Sequence, residues 1–85
     1  MELKELFEET VAKSKTLTKR PSNEQLLKMY ALYKQATEGD VDGKKPGMFD
    51  LKAYAKFAAW ESEKGKSIET AMQEYIDLVN PLFSS

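Results

Sequence analysis

An all-α fold of four helices is what this sequence predicts, and three observations predict it. Apolar residues recur at three and four positions, no stretch sustains the alternation of a strand, and prolines and glycines bound the periodic runs. The first helix is expected over about residues 3 to 16, with Leu3, Leu6, Phe7 and Val11 on one face, ending before Pro21. The second begins near Ser22, where Ser22 and Gln25 have the spacing of a capping box. Its stripe, Leu26, Met29, Tyr30, Tyr33 and Thr37, runs to a stop at Gly39. The third covers about 51 to 64, capped by Asp50 and stopped by Gly65, with Leu51, Tyr54, Ala55 and Ala58 on one face. Ser67 caps the fourth. There Ile68, Ala71, Met72, Tyr75, Ile76 and Val79 recur at helical spacing until Pro81 disrupts the last turn.

Eighty-five residues, 41% hydrophobic and 32% charged, read as one ordered domain spanning 1–85. The chain has no cysteine, so no disulfide or thiolate-bound metal supports the fold, and a cytoplasmic location is favoured. No apolar run approaches the roughly 20 residues of a membrane span, and the start lacks the basic then apolar order of a signal peptide. A soluble, monomeric intracellular protein is expected. With 13 basic and 14 acidic residues the net charge is −1, which argues against a general nucleic-acid binder. Charge is nevertheless uneven: Glu2, Glu5, Glu8 and Glu9 open the first helix, while Lys13, Lys15, Lys19 and Arg20 follow without an acid. Compensation of the helix dipole accounts for this order, and it also leaves one end of the helix electropositive.

The connection Gly39-Asp-Val-Asp-Gly-Lys-Lys-Pro-Gly-Met48 is long enough to cross one end of a bundle, and loops of this kind often carry function. Two short resemblances to ligand loops fail here. Asp40-Val41-Asp42 opens like a calcium loop, but Lys45 stands at the sharp-turn glycine and Leu51 at the bidentate glutamate. Gly65-Lys66-Ser67 ends like a phosphate-cradling loop, but Trp60 occupies the required earlier glycine and a helix precedes it. Catalysis has little material either. There is no histidine or cysteine, and the aspartates of the loop are explained by solvation, so a non-enzyme without cofactor is expected.

What stands out is Tyr30 and Lys34, four residues apart on one helix, with Lys52 and Lys56 repeating that spacing on the third. Two helices could thus offer phenol and ammonium donors to one polyanion, and a phosphate fits such a set. The plainer reading is aromatic core and a solvated lysine face.

The run Tyr30-Ala31-Leu32-Tyr33-Lys34-Gln35-Ala36-Thr37, then Lys45-Pro-Gly-Met-Phe-Asp50, resembles the acyl-CoA-binding protein family. So do the Lys19-Arg-Pro21 linker, Lys56-Phe-Ala-Ala-Trp60, Lys64-Gly65-Lys-Ser67 and the stretch Ala71 through Ile76, all without a gap. The resemblance implies an up-down-down-up four-helix bundle that binds and transports medium- to long-chain fatty acyl-CoA esters without catalysis. It implies that Tyr30, Lys34 and Lys56 hold the 3'-phosphate of CoA. Lys15 and Lys52 would lie along the nucleotide and diphosphate, Tyr33 and Tyr75 would complete the pocket, Leu26 and Leu27 would line the acyl groove, and Ala31 and Leu32 would also be among the ligand-binding residues. Tyr75 also belongs to the fourth helix's apolar stripe, so a structural role competes. Two departures stand out: Phe57 where the family commonly has tryptophan, and Pro81 in a segment that is usually helical. The rival from another class is a helical protein-interaction module whose Tyr30 and Tyr33 face docks a partner helix.

Overall fold

The computed structural model describes residues 2–83; Met1, Ser84 and Ser85, the ends of the expected domain, lie outside the described residues. Helices α1 (Leu3–Ser14), α2 (Asn23–Glu38), α3 (Leu51–Glu61) and α4 (Ile68–Val79) follow one another, and a 3-10 turn, Asn80–Phe83, comes next. No strand occurs among the described residues.

The helix starts follow their capping residues. Ser22 Oγ accepts from the Gln25 amide at 3.1 Å while Gln25 Oε1 accepts from the Ser22 amide at 2.9 Å, so the capping box closes at both bonds. Asp50 Oδ1 accepts from the Ala53 amide at 3.2 Å, and Ser67 Oγ from the Thr70 amide at 3.1 Å. Gly39 ends α2 at φ 79°, a conformation that a side chain disfavours. Pro81 lies in the 3-10 turn, where α4 has already ended. Two ends fall short of the expected bounds. α1 stops at Ser14 and α3 at Glu61, because each continues as a tighter turn: Thr16 N to Lys13 O at 2.9 Å, and Glu63 N to Trp60 O at 2.9 Å.

Side-chain pairs give the helix directions. Lys56 lies over the Tyr30 ring and Lys34 over the Trp60 ring, so moving one turn along α2 moves one turn along α3, and the two run in the same sense. The end of α2 meets the start of α4, where Gln35 Nε2 donates to Lys66 O at 2.8 Å, so these two are antiparallel. Residues 39–50 supply the crossover that the parallel pair requires. Asp40 ties that crossover to the far side of the bundle, its Oδ1 accepting from Gln35 Nε2 and from the Gly65 amide, each at 2.8 Å. These donors, the Gly65 amide first, hold its carboxyl below the ordinary aspartate range.

The core joins α1, α2 and α4 through Phe7, Leu32, Ala36, Ala71, Tyr75, Ile76 and Val79. This corrects the expected α2 stripe: Leu32 and Ala36 face the core, while Tyr33 and Thr37 are exposed. α2 packs against both α3 and α4, so its second apolar face belongs to a different neighbour from its first. α3 has no fully buried residue, and Leu51, expected on its inner face, is 70% exposed. With α2 as its main support, α3 leaves a groove along their junction.

Among the described residues one side-chain carboxylate is buried. Glu63, 4% exposed, accepts from Lys28 Nζ at 2.7 Å and Lys66 Nζ at 2.5 Å, and Lys66 Nζ reaches on to Glu74 at 2.6 Å. Burial alone would raise the Glu63 pKa, but the two ammonium donors and their charges outweigh it and bring it below the ordinary 4.5. A depressed carboxyl contributes stability above its unfolded pKa and loses it as pH falls through the folded value. Glu63→Gln should therefore cost about 1–2 kcal/mol at neutral pH, since the lysines stay partly hydrated, and should flatten the loss of stability below pH about 4.5. Thermal unfolding across acid pH measures both. A variant with an unchanged acid limb would show that this carboxylate carries none of it.

Candidate functional site

Asn23, Leu26, Leu27 and Tyr30 follow the three-and-four spacing of one helix face on α2, and Lys52, Ala55 and Lys56 do the same on α3. Together with Arg20 from the linker before α2 they line a groove of about 390 Å³. Leu26, Leu27 and Ala55 make it apolar, whereas Arg20, Lys52 and Lys56 bring three cations and no lining residue is acidic. Such a groove suits an amphiphile with an anionic head. Apolar surface takes the hydrocarbon, and fixed cations attract phosphate or carboxylate more strongly where water is partly excluded. Lys56 Nζ sits 5.2 Å from the Tyr30 ring centroid, which places ammonium and phenol side by side.

The other expected residues are placed differently. Lys34 stands one turn beyond Tyr30, bonded to the Glu38 carboxylate, with its Nζ 4.9 Å from the Trp60 ring centroid. The Glu38 bond raises its pKa against the lowering effect of partial burial. Trp60 is itself fixed, donating from Nε1 to Gly39 O at 2.9 Å. Lys15 is the exposed residue after α1 and is not among the residues that line the groove. Tyr33 is 39% exposed, with its ring centroid 6.1 Å from that of Phe7.

Ala31 and Leu32 differ from their expected placement. Successive helical residues turn by about 100°, so the pair between the two tyrosines points inward, and each is 1% exposed. Tyr75 is 3% exposed in the core, its ring centroid 5.2 Å from that of Phe7 in an edge-to-face pair. Its hydroxyl reaches Ser14 Oγ at 3.3 Å. Burial raises its pKa, against a smaller lowering by that bond.

Arg20 and Asn23 line the groove without having been expected there, and Arg20 Nη1 donates to Asn23 Oδ1 at 3.2 Å. Their signal in the sequence was faint: Arg20 is one of three bases between α1 and α2, and nothing in its spacing aims it at α3. Glu38 and Trp60 were likewise unexpected as the groups that hold Lys34.

A parallel helix pair that shares α2 with a three-helix core, with a cation-rimmed apolar groove along its junction, defines a class of small helical bundle with a ligand-sized groove. Comparison with known proteins makes the class specific. Residues 4–79 match the model of the family described as acyl CoA binding protein, and the chain belongs to that family. An acyl-CoA-binding protein homolog of Drosophila melanogaster is 54% identical over 78 residues, which is 92% of this chain and 91% of that one. The acyl-CoA-binding protein of Saccharomyces cerevisiae is 51% identical over 80 residues, covering 94% and 92% of the two chains. Among solved structures, acyl-CoA-binding protein 2 of Oryza sativa superposes with a TM-score of 0.93 at 49% identity, over 96% of this chain and 89% of that one.

Proposed function

We propose that this chain binds medium- to long-chain fatty acyl-CoA esters and carries them without catalysis, as a cytoplasmic monomer formed by one domain. The observation that carries the reading is the groove, apolar along Leu26, Leu27 and Ala55 and bordered by Arg20, Lys52 and Lys56 with no acid among its lining. In this reading Tyr30 and Lys56 hold the CoA 3'-phosphate, joined by Lys34 once it leaves Glu38 and Trp60. Lys15, Lys52 and Arg20 lie along the remaining phosphates, and Leu26 and Leu27 receive the acyl chain. The convergent cations favour this over a helix-docking module, which would present apolar surface without them. No helix among the described residues is long and apolar enough to cross a membrane.

Magnitudes divide the work. At about 0.8 kcal/mol per buried methylene, roughly ten methylenes contribute about 8 kcal/mol before ordering costs, more than one phosphate contact. Chain length should set affinity, and the phosphate contacts should select CoA esters over free fatty acids. Titration with palmitoyl-CoA, palmitate and free CoA tests both. Palmitoyl-CoA should bind far more tightly than either, and palmitate binding equally well would defeat the proposal.

Tyr75 is assigned a structural part, because its ring is enclosed by Phe7 and its hydroxyl is bonded to Ser14. Tyr75→Phe should cost about 0.5–1 kcal/mol of stability, the worth of one weak hydrogen bond, with palmitoyl-CoA affinity kept within about twofold. Calorimetric titration beside thermal unfolding separates the two. A large loss of affinity at unchanged stability would return Tyr75 to the ligand.

A further inference from the structure

We infer that Asp42-Gly43, within the crossover, is a site of spontaneous isomerisation, where the main chain comes to run through the aspartate side chain and leaves a free α-carboxyl for a carboxyl methyltransferase. The two residues already meet as that reaction requires. The Gly43 amide donates to Asp42 Oδ1 at 2.8 Å, so the attacking nitrogen lies beside the carboxyl group whose carbon it must reach. Gly43 has no side chain to crowd that approach, and a Cβ built on it would meet no atom beyond its chain neighbours within 4 Å. Its φ of 102° is one that a residue with a side chain rarely adopts. Both residues are exposed and neither belongs to a helix, so the backbone can turn to close a ring without breaking a helical hydrogen bond.

The chemistry balances with water alone. Gly43 N attacks Cγ of the protonated Asp42 carboxyl; an N–Cγ bond forms, a Cγ–O bond breaks, and the hydroxyl leaves with the amide proton as water. The product is a succinimide ring, and water then adds to either of its carbonyls. Addition at Cγ restores aspartate. Addition at the Asp42 main-chain carbonyl breaks its bond to Gly43 N and leaves isoaspartate, with an extra methylene in the main chain and a free α-carboxyl.

The same step is opposed at the chain's other aspartates and asparagines. Asp40 Oδ1 is held by Gln35 and the Gly65 amide, and β-branched Val41 follows it. Asp50 bonds to Ala53 across the first turn of α3, and Asp77 lies within α4, where the next amide is committed to the helix. Asn23 opens α2 with its Oδ1 accepting from Arg20. Asn80 precedes Pro81, whose nitrogen carries no hydrogen. Asp42 lies outside both the groove and the core, so isomerisation there leaves the cargo site in place.

This inference goes beyond the cargo reading and is tested without any acyl-CoA. The full chain is incubated for weeks at neutral pH, and samples are treated with isoaspartyl methyltransferase and labelled S-adenosylmethionine. Label should accumulate with incubation, and fragmentation of the tryptic peptide 35–44 should place it at Asp42. Asp42→Glu should show a complete loss of that label, because its longer side chain cannot close the same ring. Gly43→Ala, strained at a positive φ, should slow labelling roughly tenfold or more through displacement of the amide. Asp42→Asn should label faster, with ammonia leaving in place of water. All three variants should keep the parent's melting temperature, because both residues are exposed. Absence of label in the aged parent chain overturns the inference, as does label at another aspartate in place of Asp42. Equal labelling of the Gly43→Ala chain, or an Asp42→Asn chain that labels no faster than the parent, overturns it as well.

Discussion

Lys56→Ala is expected to weaken palmitoyl-CoA binding roughly ten- to a hundredfold, from a loss of about 1.5–3 kcal/mol for one charge-assisted contact in a partly sheltered groove. The 3'-dephospho analogue should lose little, because the proposed contact is with the group it lacks. The position of Lys56 makes it the sharper probe of the two lysines on this path. It lies beside Tyr30 and lines the groove, with no carboxylate bonded to it among the described residues. Lys34 starts from a bond to Glu38 and a seat over Trp60, and an exposed i,i+4 pair opposes its movement by about 0.3–0.5 kcal/mol. Lys34→Ala should therefore cost less than Lys56→Ala, and Glu38→Gln should bring the Lys34 contribution closer to that of Lys56. Isothermal titration of the three variants against both ligands settles the assignment. Equal losses with and without the 3'-phosphate would show that Lys56 acts on some other part of the ligand. Removing the lysine charge should also make binding less sensitive to salt, because one screened attraction has gone.

The helix starts were legible because their signals are local. Ser22 with Gln25, Asp50 and Ser67 each bond to an amide three residues on, so the sequence interval alone carries the information. Of the groove, helical spacing grouped only Lys52 with Lys56 on α3 and paired Tyr30 with Lys34 on α2, whereas Leu26 and Leu27 were placed along it by the family resemblance alone. What spacing could not supply was which face met which neighbour. α2 has apolar residues on two faces, one turned to α4 and one to α3, and a single stripe drawn through Tyr33 and Thr37 took the wrong phase between them. Glu63 escaped for a different reason. A charged residue is expected outside unless its partners are known, and Lys28 and Lys66 come to it from 35 and 3 residues away. The exposure of Leu51 and the inward turn of Leu32 have the same origin: each depends on a tertiary neighbour, α3 having one main support and α2 having two.

Leu32 offers the largest expected effect on stability and also tests the division between core and groove. It is 1% exposed in the cluster with Phe7, Ala36, Ala71, Tyr75, Ile76 and Val79, so truncation removes apolar contacts from three helices at once. Leu32→Ala should cost about 3 kcal/mol, a large share of the roughly 5–15 kcal/mol that holds a small domain together. At about 4–8 °C per kcal/mol for a chain of this size, the melting temperature should fall by roughly 12–24 °C. Leu51→Ala, changing an equally large side chain that is 70% exposed, should stay within about 0.5 kcal/mol of the parent protein. Palmitoyl-CoA separates burial from ligand contact. If Leu32 only supports the fold, the folded Leu32→Ala protein keeps its affinity within about threefold, and saturating ligand raises the melting temperature of variant and parent by comparable amounts. A loss of affinity well beyond that, measured well below the melting transition, would place Leu32 against the acyl chain. The groove would then have to extend past Leu26 and Leu27 into the core on binding.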